Sequence, residues 1–177
     1  MGDTVIVIIV IALSVVLMFV FPLMTMADRT DDIAQLTIET ATSDFVNSIV
    51  VKGKITPEDY QSFLQTITST GNTYDVEIEV QVLDENPGKK TTQTDRTTIG
   101  ENEYYIITTS QVLDVIDPDG GTPKSYGLKE GDFVFVRIKN TNQTLAQQLK
   151  NFFYTVVGND TYSQSTEKGA MVKATGK

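Results

Sequence analysis

The sequence predicts an α+β protein in which a long N-terminal helix packs on a small antiparallel β-sheet, with two further helices. An apolar run opens the chain, and an amphipathic stretch without glycine or proline follows it directly, a pattern typical of one long helix. Further on, apolar and polar residues alternate, which is typical of strands with one solvated face. We therefore expect three parts: a membrane or filament-core helix segment at 1–27, its amphipathic continuation at 28–52 and a globular head at 53–177.

The apolar run from Val5 to Ala27 predicts a retained helix. Its 23 residues would span roughly 34 Å at 1.5 Å per residue, and a hydrocarbon core is about 30 Å thick. A cleaved signal peptide is the alternative, but it would show a basic start, a shorter apolar region and a small-residue cleavage site. Here the run is preceded by an acid, Asp3, and no such site follows. The residues expected to form the membrane or filament core are Val5, Ile6, Ile9, Leu13, Val16, Leu17, Phe19, Phe21 and Pro22.

Pro22 and Asp3 are the two unusual residues of this run. Proline removes one backbone hydrogen bond, so we expect Pro22 to kink the helix or melt a turn. An uncompensated carboxylate is costly in an apolar bundle, so Asp3 is a candidate for charge pairing during assembly. A simple helix cap that favours the dipole is the alternative for Asp3.

The next 25 residues predict an amphipathic continuation of the same helix. Residues 28–52 contain no proline or glycine, and their apolar residues recur three, five, four and four positions apart. A flexible linker, the alternative, would not keep such a stripe. We expect one helix from about Thr4 to about Val51 that stops at Gly53. Its stripe towards the sheet is Ile33, Leu36, Ala41, Phe45 and Ile49. Val46, Val50 and Val51 are expected to supply apolar surface for other contacts.

A second helix is signalled from Thr56 onwards. Thr56 is a typical N-cap, Pro57 suits the first helical position, and two acids follow in the first turn. Gly71 stands where a C-terminal glycine is expected. The apolar face consists of Tyr60, Phe63, Leu64 and Ile67.

Three strands and one more helix are expected after that. Tyr74–Leu83 alternates, with Val76, Ile78, Val80 and Val82 on one face and Glu77, Glu79 and Gln81 on the other. The other predicted strands are Tyr104–Ile116 and Asp132–Lys139, and a third helix is predicted from Thr144 to about Gly158. The tail around 170–172 is expected to add a short edge strand or to be loose.

Composition excludes several function classes. The net charge of −9 and the pI near 4.4 argue against nucleic-acid binding, which depends on basic clusters. Cysteine and histidine are absent, which removes disulfides, the usual zinc ligands and the commonest general base. With no nucleophile–base pair in the pattern, we expect no enzymatic activity and no cofactor.

Two weaker motifs concern calcium and glycosylation. Asp114, Asp117 and Asp119 could supply calcium with oxygen ligands, but the sequence around them is also an ordinary turn sequence. The triplets at 142–144 and 159–161 match the N-glycosylation pattern.

Residues 1–83 resemble the type IV pilin-like subunits, most closely the tight-adherence (Tad-type) pilins and TadE-like pseudopilins. The resemblance is carried by the apolar start, Pro22, the continuation ADRTDDIAQL and the passage GKITPEDYQSFLQTITSTGNTYDVEI. Pilins usually carry a glutamate at the fifth mature position, where this chain has Val5, or Val7 after a cut at Gly2.

The resemblance implies a structural subunit that self-assembles through its N-terminal helix into an extracellular cell-surface filament. Its expected partners are copies of itself, the membrane before assembly and the pilus assembly machinery. The head would be extracytoplasmic throughout. The alternative is a single-pass, membrane-anchored extracytoplasmic domain that acts as an accessory or sensor component of a secretion or pilus complex.

Overall fold

The fold is α+β, as predicted. The computed structural model describes residues 2–84, 104–142, 148, 151 and 165–176. The elements are α1 (Gly2–Lys52), β1 (Lys54–Ile55), α2 (Pro57–Thr68), β2 (Tyr74–Leu83), β3 (Tyr104–Ile107), α3 (Thr109–Ile116), β4 (Tyr126–Gly127), β5 (Phe133–Asn140) and β6 (Ser165–Met171). An antiparallel four-stranded sheet has the order β3-β2-β5-β6, and β1 pairs with β4 in a two-stranded sheet.

The chain divides into two compact units. The first comprises residues 1–36 and 142–164, and the second comprises residues 37–141 and 165–177. The division within α1 thus falls after Leu36, whereas the sequence suggested boundaries after residues 27 and 52. The sheets, α2 and α3 all belong to the second unit.

The end of α1 agrees with the prediction. The helix stops at Lys52, and Gly53 follows with a φ of 67°. This left-handed conformation is the usual way to end a helix, and glycine adopts it without steric cost. The Gly53 N–H donates to the Ile49 carbonyl at 2.8 Å, which satisfies one of the last carbonyls of the helix.

The buried stripe of α1 differs from the predicted one. Phe45 and Ile49 are buried as expected, but Ile33 and Leu36 are 67% and 66% exposed. At 3.6 residues per turn, Leu36 lies nine positions before Phe45 and therefore half a turn away around the helix. The positions that share the face of Phe45 are instead Ala34 and Ile38, which are buried.

The prediction for Val46 and Val50 was also wrong. Both side chains belong to the hydrophobic core, with exposures of 3% and 5%. Only Val51 remains exposed, at 71%. The second half of α1 therefore gives two of its three valines to the core of the second unit.

Helix α2 begins as predicted, but it ends at Thr68 with Ser69 as its C-cap, two residues before the predicted Gly71. The Asp59 N–H donates to the Thr56 hydroxyl at 3.1 Å, which is the expected N-cap. Phe63 packs on α1, where its ring stacks on Phe45 with centroids 4.5 Å apart. Lys52 at the end of α1 donates to both carboxylate oxygens of Asp59, at 2.8 and 2.7 Å. Burial raises the pKa of Asp59, but the hydrogen bonds from Lys52 and Thr56 outweigh it, so the pKa lies below its ordinary value.

The alternation of β2 orients the sheet as predicted. Ile78 and Val80 are buried, and Val76 and Val82 are partly buried against the same core. The core-facing residues of the neighbouring strand β5 are Val134, Val136 and Ile138. We call the opposite side of the four-stranded sheet its outer face; β2 places Glu77, Glu79 and Gln81 there, and β5 places Phe133, Phe135 and Arg137 there.

The predicted strand Tyr104–Ile116 is wrong in its second half. β3 ends at Ile107, and residues 109–116 form α3. The helix begins with a capping box, in which the Thr108 N–H donates to Gln111 Oε1 at 3.0 Å. Val112 and Ile116 are buried at a helical spacing of four, so their apolar character reflects a helix face.

Thr109 bonds the part of β2 that extends beyond the end of β3. Its hydroxyl accepts from the Ile78 N–H at 2.8 Å and donates to the Ile78 carbonyl at 3.1 Å. These are the two bonds that a neighbouring strand would supply. One side chain therefore stands in for the missing strand residue.

The remaining predictions concern the C-terminal third. Asp132–Lys139 is confirmed as a strand, observed at Phe133–Asn140, and the tail strand is longer than predicted, at Ser165–Met171. The helix predicted from Thr144 to Gly158 lies almost entirely outside the described residues. The two further helices described are α2 and α3.

Candidate functional site

The apolar run forms the first part of α1; it is exposed on every side up to Phe19, and Val20, Met24 and Ala27 are half-buried. We call residues 5–27 the apolar segment. Its predicted core side chains are each between 46% and 66% exposed within the chain. They are Val5, Ile6, Ile9, Leu13, Val16, Leu17, Phe19 and Phe21. Such a surface is far larger than the few hundred Å² of contiguous apolar patch usual for a soluble monomer, so it calls for an apolar environment.

By length and composition, α1 is the one helix among the described residues that could cross a membrane. Within the first 51 residues, Arg29 is the only basic side chain. The segment is therefore apolar all round between Asp3 and Asp28, which is the pattern of a helix buried in lipid or among similar helices.

Pro22 does not interrupt the helix. α-Helical structure continues through it from Gly2 to Lys52, so of the two expected effects, a kink or a melted turn, the melted turn does not occur. Proline has no N–H, so the carbonyl four residues earlier, on Met18, loses its usual helical donor. Nearby, the Thr25 hydroxyl donates to the Phe21 carbonyl at 3.0 Å, which adds a local bond on the C-terminal side of the proline.

Asp3 lies inside the first turn of α1. The helix begins at Gly2, so Asp3 is not at the N-cap position that the sequence left open. It is exposed, and its charge has the sign that the helix dipole favours at this end. In the described part of the chain no hydrogen bond or ion pair of its side chain is present.

The calcium candidates are not brought together. Asp114 lies on α3, Asp117 follows its last residue, and Asp119 lies in the next turn; all three are exposed. Among the described residues, no group of three or more acidic side chains is close enough to hold a metal ion. Of the glycosylation triplets, only Asn142 lies within the described residues.

A second candidate site is a groove of about 550 Å³ on the outer face of the sheet. Arg137 lies in it between two carboxylates, with its Nη1 3.2 Å from Glu77 and its Nε 2.9 Å from Glu167. The Glu167 and Glu77 carboxylates raise the pKa of Arg137. Sequence reasoning missed this arrangement, because it requires knowing that β6 lies next to β5. The groove is lined by Glu77, Ile78, Glu79, Gln81, Thr108, Thr109, Ser110, Phe135, Arg137 and Glu167.

The hydroxyls of the groove are occupied by structural contacts. The Thr109 hydroxyl forms hydrogen bonds with the backbone of Ile78, and the Thr108 Oγ1 and Ser110 Oγ atoms lie within hydrogen-bond distance, at 3.2 Å. In the described structure no hydrogen bond joins these hydroxyls to a carboxylate or an amine that could activate them. The groove therefore offers an ion-paired, net negative surface rather than an arrangement for nucleophilic chemistry.

No protein-family model, no curated protein and no solved structure matches this chain significantly. Its function must therefore be inferred from the geometry of the apolar segment and of the domain that follows it.

Proposed function

We propose that the chain is a structural, pilin-like subunit that self-assembles through its apolar segment into an extracellular filament. One observation carries the proposal. A single helix of 51 residues exposes apolar side chains on all sides in its first part and supplies part of a folded core in its second part. Such a helix can exchange lipid for neighbouring copies without any change in its own fold.

The energy available for assembly is large. Burying about 1,000 Å² of apolar surface per subunit contributes roughly 25 kcal/mol at about 25 cal/mol per Å², before the costs of ordering are subtracted. Contacts between different patches of identical subunits generate helical fibres when the rotation between subunits does not close a ring. The apolar segment offers surface in every direction, as a packed helical bundle requires.

The proposal includes a location and a set of partners. The subunit resides in the cell membrane before assembly and in an extracellular filament afterwards, with its head domain outside the cytoplasm. The membrane and a pilus assembly machinery are its partners before assembly, and further copies of the chain are its partners in the filament. The net charge of −9 disfavours nucleic acid as a partner.

The test is to shear cells that express the full chain and to centrifuge the released material without detergent. We expect long fibres by electron microscopy and, by mass spectrometry, subunits that still contain residues 5–27. A chain that is found only in the membrane fraction, or a mature protein that begins near Asp28, would contradict the proposal. The first of these outcomes would favour the membrane-anchored alternative.

A point variant separates assembly from membrane insertion. Phe19 is 66% exposed on the apolar segment, and its replacement by alanine keeps the helix insertable while removing packing volume between subunits. We expect Phe19→Ala to lower the yield of fibres while the membrane pool stays unchanged. The control is Asn47→Ala, an exposed position of α1 outside the apolar segment, which should assemble like the wild type.

A further inference from the structure

Beyond α1, the exposed apolar side chains of the second unit concentrate on the two edges of the four-stranded sheet. Among the described residues outside α1, the large hydrophobic side chains with high exposure are Tyr105, Ile106 and Met171, at 46%, 57% and 48%. Tyr105 and Ile106 lie on β3, and Met171 lies on β6. These strands are the two outermost in the order β3-β2-β5-β6.

The strand register places Ile106 and Met171 in the same row. Gln81 is opposite Ile106 on one side and opposite Phe133 on the other, and Phe133 is opposite Met171. The adjacent row on the core-facing side runs in the same way from Ile107 through Val80 and Val134 to Ala170. Each row therefore begins and ends with an apolar side chain.

The directions of the edge strands are complementary as well. Each neighbouring pair in the sheet is antiparallel, so the four strands alternate and β3 runs opposite to β6. If a second copy is placed beside the first so that the four-stranded sheet continues beyond β6, with the normal sheet twist, its β3 lies antiparallel to β6 of the first copy. This placement brings Ile106 opposite Met171 and Ile107 opposite Ala170.

The charges of β6 fit this register. Edge strands are often protected from pairing by charged side chains, and β6 carries Glu167 and Lys168. These two residues lie in the rows of Arg137 and Val136, which β3 does not reach because it ends at Ile107. The two charged residues of β6 thus lie outside the rows that β3 would occupy, and the uncharged Ala170 and Met171 lie within them.

We propose that β3 of one copy pairs with the end of β6 of the next copy, which gives a head-to-tail sheet contact between neighbouring subunits. Such a contact uses two different edges, so it is heterologous, and it propagates along a filament when the rotation between copies does not close a ring. The backbone groups of the edges supply hydrogen bonds, and the facing apolar pairs supply side-chain contact. The partner is a second copy of this chain, and the inference rests on the proposed filament function.

The absence of cysteine from the sequence makes disulfide cross-linking a direct test. Directly opposed residues of antiparallel strands have Cα atoms about 4.5–5.5 Å apart, which is within reach of a disulfide. Within one chain Ile106 and Met171 are separated by three strand spacings, about 14 Å, so they cannot be bridged. Filaments of the Ile106→Cys/Met171→Cys variant, oxidised with diamide, should therefore convert from monomer to a ladder of dimers, trimers and longer products on a non-reducing gel.

Matched variants define the register. Ile106→Cys/Ser165→Cys uses the same edge strand and the same face but the wrong row, and it should give no ladder. A ladder from this pair would overturn the register. Dimers from Met171→Cys alone would show that β6 pairs with itself and would also overturn the proposal.

The outcomes distinguish the edge contact from the filament itself. Fibres that are visible by electron microscopy but give no ladder would overturn the edge pairing and leave the filament function intact. A ladder from material that contains no fibres would support the edge pairing and overturn the proposed function. If fibres give a ladder, and reductant converts the ladder to monomer on the gel, the result supports both the edge pairing and the filament function.

Discussion

The junction between α1 and the C-terminal tail is a tightly constrained backbone contact. Gly53 has a φ of 67°, and a Cβ atom added to it would lie 2.1 Å from the Ala174 carbonyl oxygen and 2.5 Å from the Gly176 nitrogen. Both neighbours are backbone atoms, so no side-chain rotation can relieve the overlap. Two backbone hydrogen bonds help to hold the tail there: the Lys173 N–H donates to the Val50 carbonyl at 3.1 Å, and the Gly176 N–H donates to the Leu128 carbonyl at 3.0 Å.

The cost of Gly53→Ala therefore has two parts. A non-glycine residue in the left-handed region costs about 1–2 kcal/mol. Moving the tail away from the new methyl group breaks the two tail bonds, each with a net contribution of about 0.5–1.5 kcal/mol. Together the substitution should lower the free energy of unfolding by about 2–5 kcal/mol.

Gly71→Ala is the matched control. Gly71 has a similar φ of 80°, but a Cβ atom there would have no neighbour within 4 Å. It should cost only the backbone term, about 1–2 kcal/mol. The comparison between the two glycines isolates the contact with the tail.

The assay is urea unfolding of the full chain in detergent, followed by tyrosine fluorescence, since the sequence has seven tyrosines and no tryptophan. Extrapolation of the unfolding free energy to zero urea gives the cost of each substitution. The same substitution is then made in a chain that lacks residues 174–177. There the methyl group meets no tail, so Gly53→Ala should cost no more than Gly71→Ala. Equal costs for the two glycine variants in the full chain would refute this reasoning.

Three further predictions test the sheet, its closure and the α1–α2 ion pair. Ile78→Asp should cost more than about 3 kcal/mol by burying an unpaired charge, whereas Glu79→Lys on the outer face should change stability by less than about 1 kcal/mol; similar costs in urea unfolding would show that the strand register is wrong. Thr109→Val leaves the backbone N–H and carbonyl of Ile78 without their side-chain partner and should lower the free energy of unfolding by about 1–3 kcal/mol. Thr109→Ser keeps the hydroxyl and should retain most of this stability. A serine variant as unstable as the valine variant would contradict this role of Thr109. The lowered pKa of Asp59 means that its ionised form stabilises the fold above pH 3.8 and that this stabilisation is lost as pH falls through the lowered pKa. Asp59→Asn should therefore lose less stability than the wild type on acidification. An unchanged dependence of the unfolding free energy on pH would argue against the ion pair with Lys52.

The sequence predicted best those elements that are determined by local patterns. The end of α1 at Gly53, the Thr56 cap and the alternation of β2 each depend on a few adjacent residues, and the structure confirms them. The α3 error has a local cause as well. The stretch Tyr104–Ile116 was predicted to be one strand, although the Thr108–Gln111 capping signature inside it marks the start of a helix.

The errors on α1 have a different cause. The prediction placed apolar residues spaced three, five, four and four positions apart on one helix face. At 3.6 residues per turn these spacings do not stay on one face, and Leu36 lies half a turn around the helix from Phe45. Which of two apolar stripes becomes buried depends on what packs against the helix, and that is a long-range property. The groove around Arg137 was missed for the same reason, because its carboxylates come from strands about 90 residues apart in sequence.

The hydrophobic surfaces of α1 divide cleanly between two roles. The core cluster runs from Ile38 to Val172 and contains no residue of the apolar segment among the described residues. Folding of the second unit and the proposed assembly through the apolar segment would therefore draw on different side chains. Effects on such separate sets of side chains are expected to add with little coupling. Sequence hydrophobicity alone cannot make this division, because an exposed Phe19 and a buried Phe45 are equally apolar. The distinction comes from their surroundings: Phe45 stacks on Phe63, whereas Phe19 remains 66% exposed and depends on lipid or another copy for its contacts.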